Sequence, residues 1–142
     1  MGSFFISTDD ELLNLELTHT FIANSYWAKG IPFETVKRSI ENSLCFGAYD
    51  NEHQQVGFAR VVTDKATFAY LADVFVLSEF RGLGISKLLM DSVIGHPELQ
   101  GLRRMMLATY DAHGLYKKYG FEAVPNPESL MQIWQPNIYQ NK

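Results

Sequence analysis

The sequence predicts a mixed α/β sheet with helices on both faces, and three observations carry that expectation. Residues 71–94, LADVFVLSEFRGLGISKLLMDSVI, read as a buried strand, a glycine loop and a helix whose apolar positions Leu88, Leu89 and Val93 recur at helical spacing. Residues 107–123, LATYDAHGLYKKYGFEA, repeat the logic of strand followed by helix. Between Leu44 and Leu77, three strand-like runs are joined by short polar turns. Hairpin-joined strands in the middle of the chain fit a mixed sheet better than a doubly wound one.

Taken in order, Phe4 to Ser7 is a short strand. Thr8 and Glu11 have the spacing of a capping box, and Leu12, Leu13, Leu17, Phe21 and Ile22 give an irregular apolar face for one or two helices. That segment ends near Tyr26-Trp27-Ala28-Lys29-Gly30. Pro32 suits the first turn of a second helix, with Phe33, Val36 and Ile40 along one side. Leu44 to Tyr49 and Gln54 to Thr63 form a hairpin around Asp50-Asn51-Glu52-His53. Asp64-Lys65 is a second tight turn, leading into a long strand from Ala66 or Thr67 to Leu77. Gly95-His96-Pro97 stops the central helix. Arg104 to Thr109 is a strand, Ala112 to Tyr119 a short helix ended by Gly120, and Phe121 to Val124 and Leu130 to Trp134 are two last strands. The whole of 1–142 reads as one domain with its core in 3–135.

Composition narrows the function. A chain of 142 residues buries about two-thirds of its unfolded surface. Hydrophobic residues at 46% and charged residues at 20% are ordinary for a globular domain. The net charge of −4 argues against a general nucleic-acid binder, which needs a basic face. Cys45 is alone, so no disulfide within the chain and no cysteine metal cluster can form, and a reducing cytoplasm is the expected compartment. No apolar run approaches the ~20 residues needed to cross a bilayer, so no membrane partner is expected. The four histidines lie far apart in sequence and only His96 is near a glutamate, so no metal is expected.

The glycine loop is the richest chemical signal. Gly82 and Gly84 let the backbone bend without side chains in the way, and a helix start leaves several N–H groups unpaired. Those donors and the positive end of the helix dipole make an anion site, with Arg81 as a cation at its mouth. Two other phosphate loops do not apply: Lys87 stands where the third glycine of a dinucleotide fingerprint belongs, and no G-x-x-x-x-G-K-[ST] occurs.

Arg81-Gly82-Leu83-Gly84-Ile85-Ser86, followed by a helix, a strand and then Ala112-x-x-Leu115-Tyr116-x-x-x-Gly120-Phe121, resembles the GNAT superfamily of acyl-CoA-dependent N-acyltransferases. The resemblance covers residues 3–135 in element order and 71–123 in motif detail. Arg81 and Gly84 match the family's pyrophosphate loop, while Ser86 stands at its last position with a hydroxyl able to donate to a phosphate. Thr109 stands where the family often has an asparagine. The resemblance implies a V-shaped opening between two central parallel strands, here Leu71–Leu77 and Arg104–Thr109, that takes acetyl-CoA as co-substrate. Val74, Phe75 and Val76 would pair with the pantetheine as a free sheet edge pairs with a peptide, and Arg81 to Ser86 would hold the diphosphate. An N–H near Val74 or Phe75 would polarise the thioester carbonyl.

By the same resemblance, Tyr116 is the general acid for the departing thiolate. Asp73 interrupts an apolar strand, where an unpartnered carboxylate is costly. It is read either as the general base or as a salt-bridge partner of Arg60, with His113 as a second candidate base. Tyr26, Trp27, Arg60, Asp73 and His113 are the expected acceptor-side residues. Two readings compete with the enzyme: a non-catalytic acyl-CoA-binding sensor, and a nucleotide-binding regulator. The acceptor, a small-molecule or exposed amine, is left open. So is the oligomeric state, for which a homodimer built on Trp134 and Tyr139 is the candidate.

Overall fold

The computed structural model describes residues 3–140. Its centre is a five-stranded mixed sheet with β1 (Phe4–Ser7), β2 (Leu44–Asp50), β3 (Gln55–Thr63), β4 (Phe68–Val76) and β5 (Arg104–Met106) side by side in chain order. The first four strands are antiparallel, with Leu44 opposite Val61 and Val61 opposite Leu71. β5 runs parallel to β4, pairing Phe68 with Arg104 and Tyr70 with Met106. The helices are α1 (Leu15–Ala23), α2 (Phe33–Glu41), α3 (Ile85–Gly95) and α4 (His113–Lys117).

Alternation along each strand divides the core between the two faces. On β2, Cys45 faces α1 and α2 together with Ile22, Val36, Ile40, Phe58 and Phe75, while its neighbour Phe46 faces Ile85, Leu89, Met90 and Val93 of α3. The predicted layers, helices on both faces of a mixed sheet, are therefore present. Gln55 fastens α1 to β3 without stranding a buried amide. Its Nε2 donates to Thr18 Oγ1 at 3.0 Å, and its Oε1 accepts from the Asn14 N–H at 2.8 Å.

Several boundaries differ from the sequence reading. Asp9, not Thr8, caps the first turn: its Oδ1 accepts from the Glu11 N–H at 3.0 Å, and the turn is a 3-10 helix over Asp10–Leu12. Asn14 caps α1 through the Leu17 N–H. Pro32 is the residue before α2 rather than within its first turn. β5 stops at Met106, and neither 121–124 nor 130–134 forms a strand. Apolar alternation marks a segment able to pair, but a strand exists only where a neighbour supplies its ladder. Beyond Met106 the chain leaves β4, and no other described strand lies along β5.

Two core residues give direct tests. The Tyr49 ring folds back over Gly47, so a β-carbon on Gly47 would overlap the Tyr49 hydroxyl. Tyr49 is fully buried and has nowhere to retreat. Gly47→Ala is expected to cost about 1–3 kcal/mol, as overpacking does, and a thermal melt checks it. Burial pushes the Cys45 thiol up to about 12, with Asp10 contributing in the same direction. Since only the thiolate is reactive, native protein at pH 8 should resist iodoacetamide, whereas unfolded protein should be labelled once per chain.

Candidate active site

β4 and β5 part company midway. Their pairing ends at Tyr70 and Met106, yet β4 continues to Val76 with β3 along its other edge. The edge of β4 from Leu71 onward therefore opens away from 107–109, giving the V expected from the sequence. Within it, Asp73 takes φ 56°, and the β3–β4 register slips there between Phe58↔Phe75 and Arg60↔Ala72. The extra β4 residue is a bulge, which turns the following N–H groups out of the regular ladder. Aspartate tolerates this left-handed backbone better than most side chains.

The bulge is fixed by two bonds. Arg60 Nε donates to Asp73 Oδ2 at 2.8 Å, and Trp27 Nε1 donates to Asp73 Oδ1 at 2.7 Å. Arg60 also donates from Nη1 to Ser43 Oγ at 3.1 Å. The carboxylate interrupting the apolar strand is thus shared between a cation on β3 and the segment after α1. Around it, Tyr26 meets Trp27 edge-on at 5.2 Å and Tyr110 at 5.6 Å between ring centres. Tyr110 went unremarked in the sequence, because an exposed aromatic in a loop has no periodicity to mark it. Only its contact with Tyr26 across the opening places it here.

At the far end of β4, Arg81 is anchored by its Nε donating to the Val76 carbonyl at 3.1 Å. Gly82 and Gly84 take φ of 80° and 83°, and no atom outside the bend lies within 4 Å of where a β-carbon on either would be. Glycine serves here for backbone conformation and for open space above the bend. Gly84 caps α3 with no side chain bonded to the helix start. The first N–H groups of α3, at Ile85, Ser86 and Lys87, have no acceptor within the helix. Lys87 itself turns aside to Asp91 at 2.8 Å. Free amides, a left-handed bend clear of side chains and a tethered guanidinium suit a diphosphate. Leu83 projects from the bend, about half exposed.

Tyr116 lies on α4, half-buried, packed with the α3-side core and edge-on to Phe121 at 5.9 Å. Burial first, and then Tyr26, raises its phenol above the ordinary tyrosine value. Thr109 Oγ1 accepts from the Ala112 N–H at 3.2 Å and so helps start α4. His113 is exposed at the first position of that helix. The structure thus gathers Tyr26, Trp27, Arg60 and Asp73 at the bulge, places Tyr116 on α4 against the α3-side core, and puts Arg81–Ser86 beyond the end of the same strand. Among the described residues, His113 forms no hydrogen bond or ring contact with that group, so the structure does not bring it together with them. Among the described residues, no cluster of three or more His, Cys, Asp or Glu side chains is placed to hold a metal ion.

The chain is thus a mixed α/β protein whose parallel strand pair stops midway and whose central strand leads on to a glycine-capped helix start. The family described as acetyltransferase (GNAT) domain matches residues 41–123. A Gibberella zeae protein named for acetyltransferase activity, with no acceptor stated, is 32% identical over 139 residues, covering 82% of this chain and 77% of its own. A crystal structure from Xanthomonas campestris pv. campestris, described as belonging to the GNAT family, superposes with a TM-score of 0.96 at 53% identity, over 99% of both chains. Glucosamine-6-phosphate N-acetyltransferase from Arabidopsis thaliana shares the fold alone, with a TM-score of 0.65 at 17% identity over 94% of this chain and 97% of that one. The chain belongs to the GNAT acetyltransferase family, and it is an acyltransferase.

Proposed function

We propose that the protein transfers the acetyl group of acetyl-CoA to a primary amine, by direct attack of the amine on the thioester. The observation that carries this reading is the alignment of three features along one strand: the bare start of α3, the opened edge of β4 and the bulge at Asp73. The diphosphate goes to the amides of Gly82 to Ser86 with Arg81 beside them. The pantetheine lies along Val74, Phe75 and Val76, with Thr109 on the opposite side. Acetyl-CoA supplies an activated acyl group. The chain supplies position, a backbone N–H near Val74 or Phe75 toward the carbonyl oxygen, and a proton from Tyr116 for the departing thiolate. The raised phenol of Tyr116 stays protonated at neutral pH, as that role needs.

Asp73 is proposed as a positioning residue for the acceptor wall. Both carboxylate oxygens are already taken, one by the Arg60 guanidinium and the other by the Trp27 indole, and the second bond holds Trp27 over the bulge. Asp73→Asn keeps the left-handed backbone accessible but turns an NH2 toward one of the two donors. Its expected effect is a rise of about tenfold or more in KM for the amine, with CoA affinity unchanged. Loss of the acid limb of the kcat profile, with KM intact, would instead make Asp73 the base. His113 keeps its candidacy as an acceptor-side residue on sequence grounds alone.

The reading as a whole is tested by thiol release from acetyl-CoA against a panel of primary amines. Turnover with at least one amine is expected. Tight CoA binding without turnover across a broad panel would favour the sensor, and preference for ATP or NAD over CoA would favour the nucleotide-binding regulator. No helix among the described residues is long and apolar enough to cross a membrane, and a cytoplasmic enzyme is the proposal that fits the lone buried Cys45.

A further inference from the structure

Three aromatic rings stand open to water beside the Asp73 carboxylate. Tyr26, Trp27 and Tyr110 are 63%, 42% and 78% exposed. They come from two segments, the bend after α1 and the loop that leads into α4. A lone exposed aromatic is ordinary, whereas a contiguous group marks a surface that takes a ligand. Their contacts leave ring faces free: Tyr26 and Trp27 meet at 88° between planes and Tyr26 and Tyr110 at 42°, so neither pair is stacked. Trp27 is also fixed before any ligand arrives, its indole N–H donating to Asp73 Oδ1 at 2.7 Å. A ring already held loses little freedom on binding.

Charge decides what such a wall holds. A polyamine or a polycationic sugar needs carboxylates free to receive its ammonium groups. Asp73 is the carboxylate bonded within the cluster, and Arg60 and Trp27 take one oxygen each. Lys29 and Asp111, both exposed, flank the rings in sequence with opposite signs. The rings do not suit the reacting nitrogen either. An aromatic face favours an ammonium ion, and the amine must lose that proton before it attacks. What is left for the rings is the uncharged body of the acceptor, and flat faces match a flat body.

We propose that the acceptor is an arylalkylamine, with its ring against Tyr26, Trp27 and Tyr110 and its primary amine at the Asp73 bulge. The inference rests on acetyl transfer to an amine at this opening and names the class of amine. The Trp27–Asp73 bond sets the wall directly beside the bulge, so the arm between ring and nitrogen is short. Tyr26 touches both other rings, and Tyr110 brings its ring from the loop beyond β5. Tyr110 is therefore a specificity-determining residue, and its exposure means that it can be truncated without opening the core.

Initial rates of thiol release with 2-phenylethylamine, tryptamine, n-hexylamine and spermidine test this on the full chain. The expected kcat/KM for the two arylalkylamines exceeds that for n-hexylamine and spermidine by about tenfold or more, the worth of one or two ring–ring contacts. In Tyr110→Ala the KM for 2-phenylethylamine should rise about fivefold, its preference over n-hexylamine should fall by a similar factor, and the Kd for CoA should stay put. n-Hexylamine or spermidine turned over as well as 2-phenylethylamine would overturn the inference while leaving acetyl transfer to an amine intact. So would a full aromatic preference in Tyr110→Ala, or turnover of other amines with neither arylalkylamine used. No thiol release with any amine would instead remove the proposed function, and this inference with it.

Discussion

Gly84→Asp is expected to fold normally and to lose acetyl-CoA binding by more than a hundredfold in a calorimetric titration. The position sits at φ 83° with no neighbour within 4 Å of a new β-carbon, so the only structural cost is the left-handed backbone. For aspartate that cost is about 1–2 kcal/mol, and it is offset in part because aspartate is a favoured N-cap. The new carboxylate would bond the first amides of α3 itself. A well-capped helix would then turn a negative charge toward the place assigned to the diphosphate. Melting lowered by no more than about 2–8 °C, with binding lost, is the signature of an anion site filled from within. Normal CoA affinity in this variant would remove the bend from the binding site.

Tyr116→Phe should lower kcat by about 10²- to 10⁴-fold, the usual worth of a positioned proton donor, and leave the Kd for CoA within twofold. The ring keeps its edge-on contact with Phe121 and its place against the core, so only the hydroxyl is lost. Because burial raises the phenol, wild-type kcat should hold its plateau past the pH where an ordinary tyrosine ionises, near 10, and fall only above it. The variant should lack that alkaline limb. Equal kcat in the two proteins would take Tyr116 out of the acid role and leave the proton to solvent.

The parts legible in the sequence were those whose cause is local. A bend of two left-handed glycines before a periodic apolar stretch needs no distant partner, and Gly82, Gly84 and the start of α3 lie where the pattern put them. The hairpins around 50–53 and at Asp64-Lys65 followed in the same way from turn chemistry: Asp64 Oδ1 accepts from the N–H groups of Ala66, Thr67 and Phe68. Parts settled by distant contacts were less visible. Asp73 stood out as a polar break in β4, and Arg60 was named as its partner, but the Trp27 bond depends on how the segment after α1 crosses the sheet. Tyr110 and the bulge itself left no mark on periodicity. Leu130 to Trp134 shows the opposite failure: strand composition is present, but no strand lies beside it among the described residues.

The account stands most directly on where the thioester carrier sits, and a crystal grown with acetyl-CoA measures that. The diphosphate should lie within hydrogen-bond distance of the amides of Gly82 to Ser86, with the pantetheine beside Val74 to Val76 and the acetyl group near the Asp73 bulge. A carrier found anywhere other than the opening between β4 and β5 would contradict it.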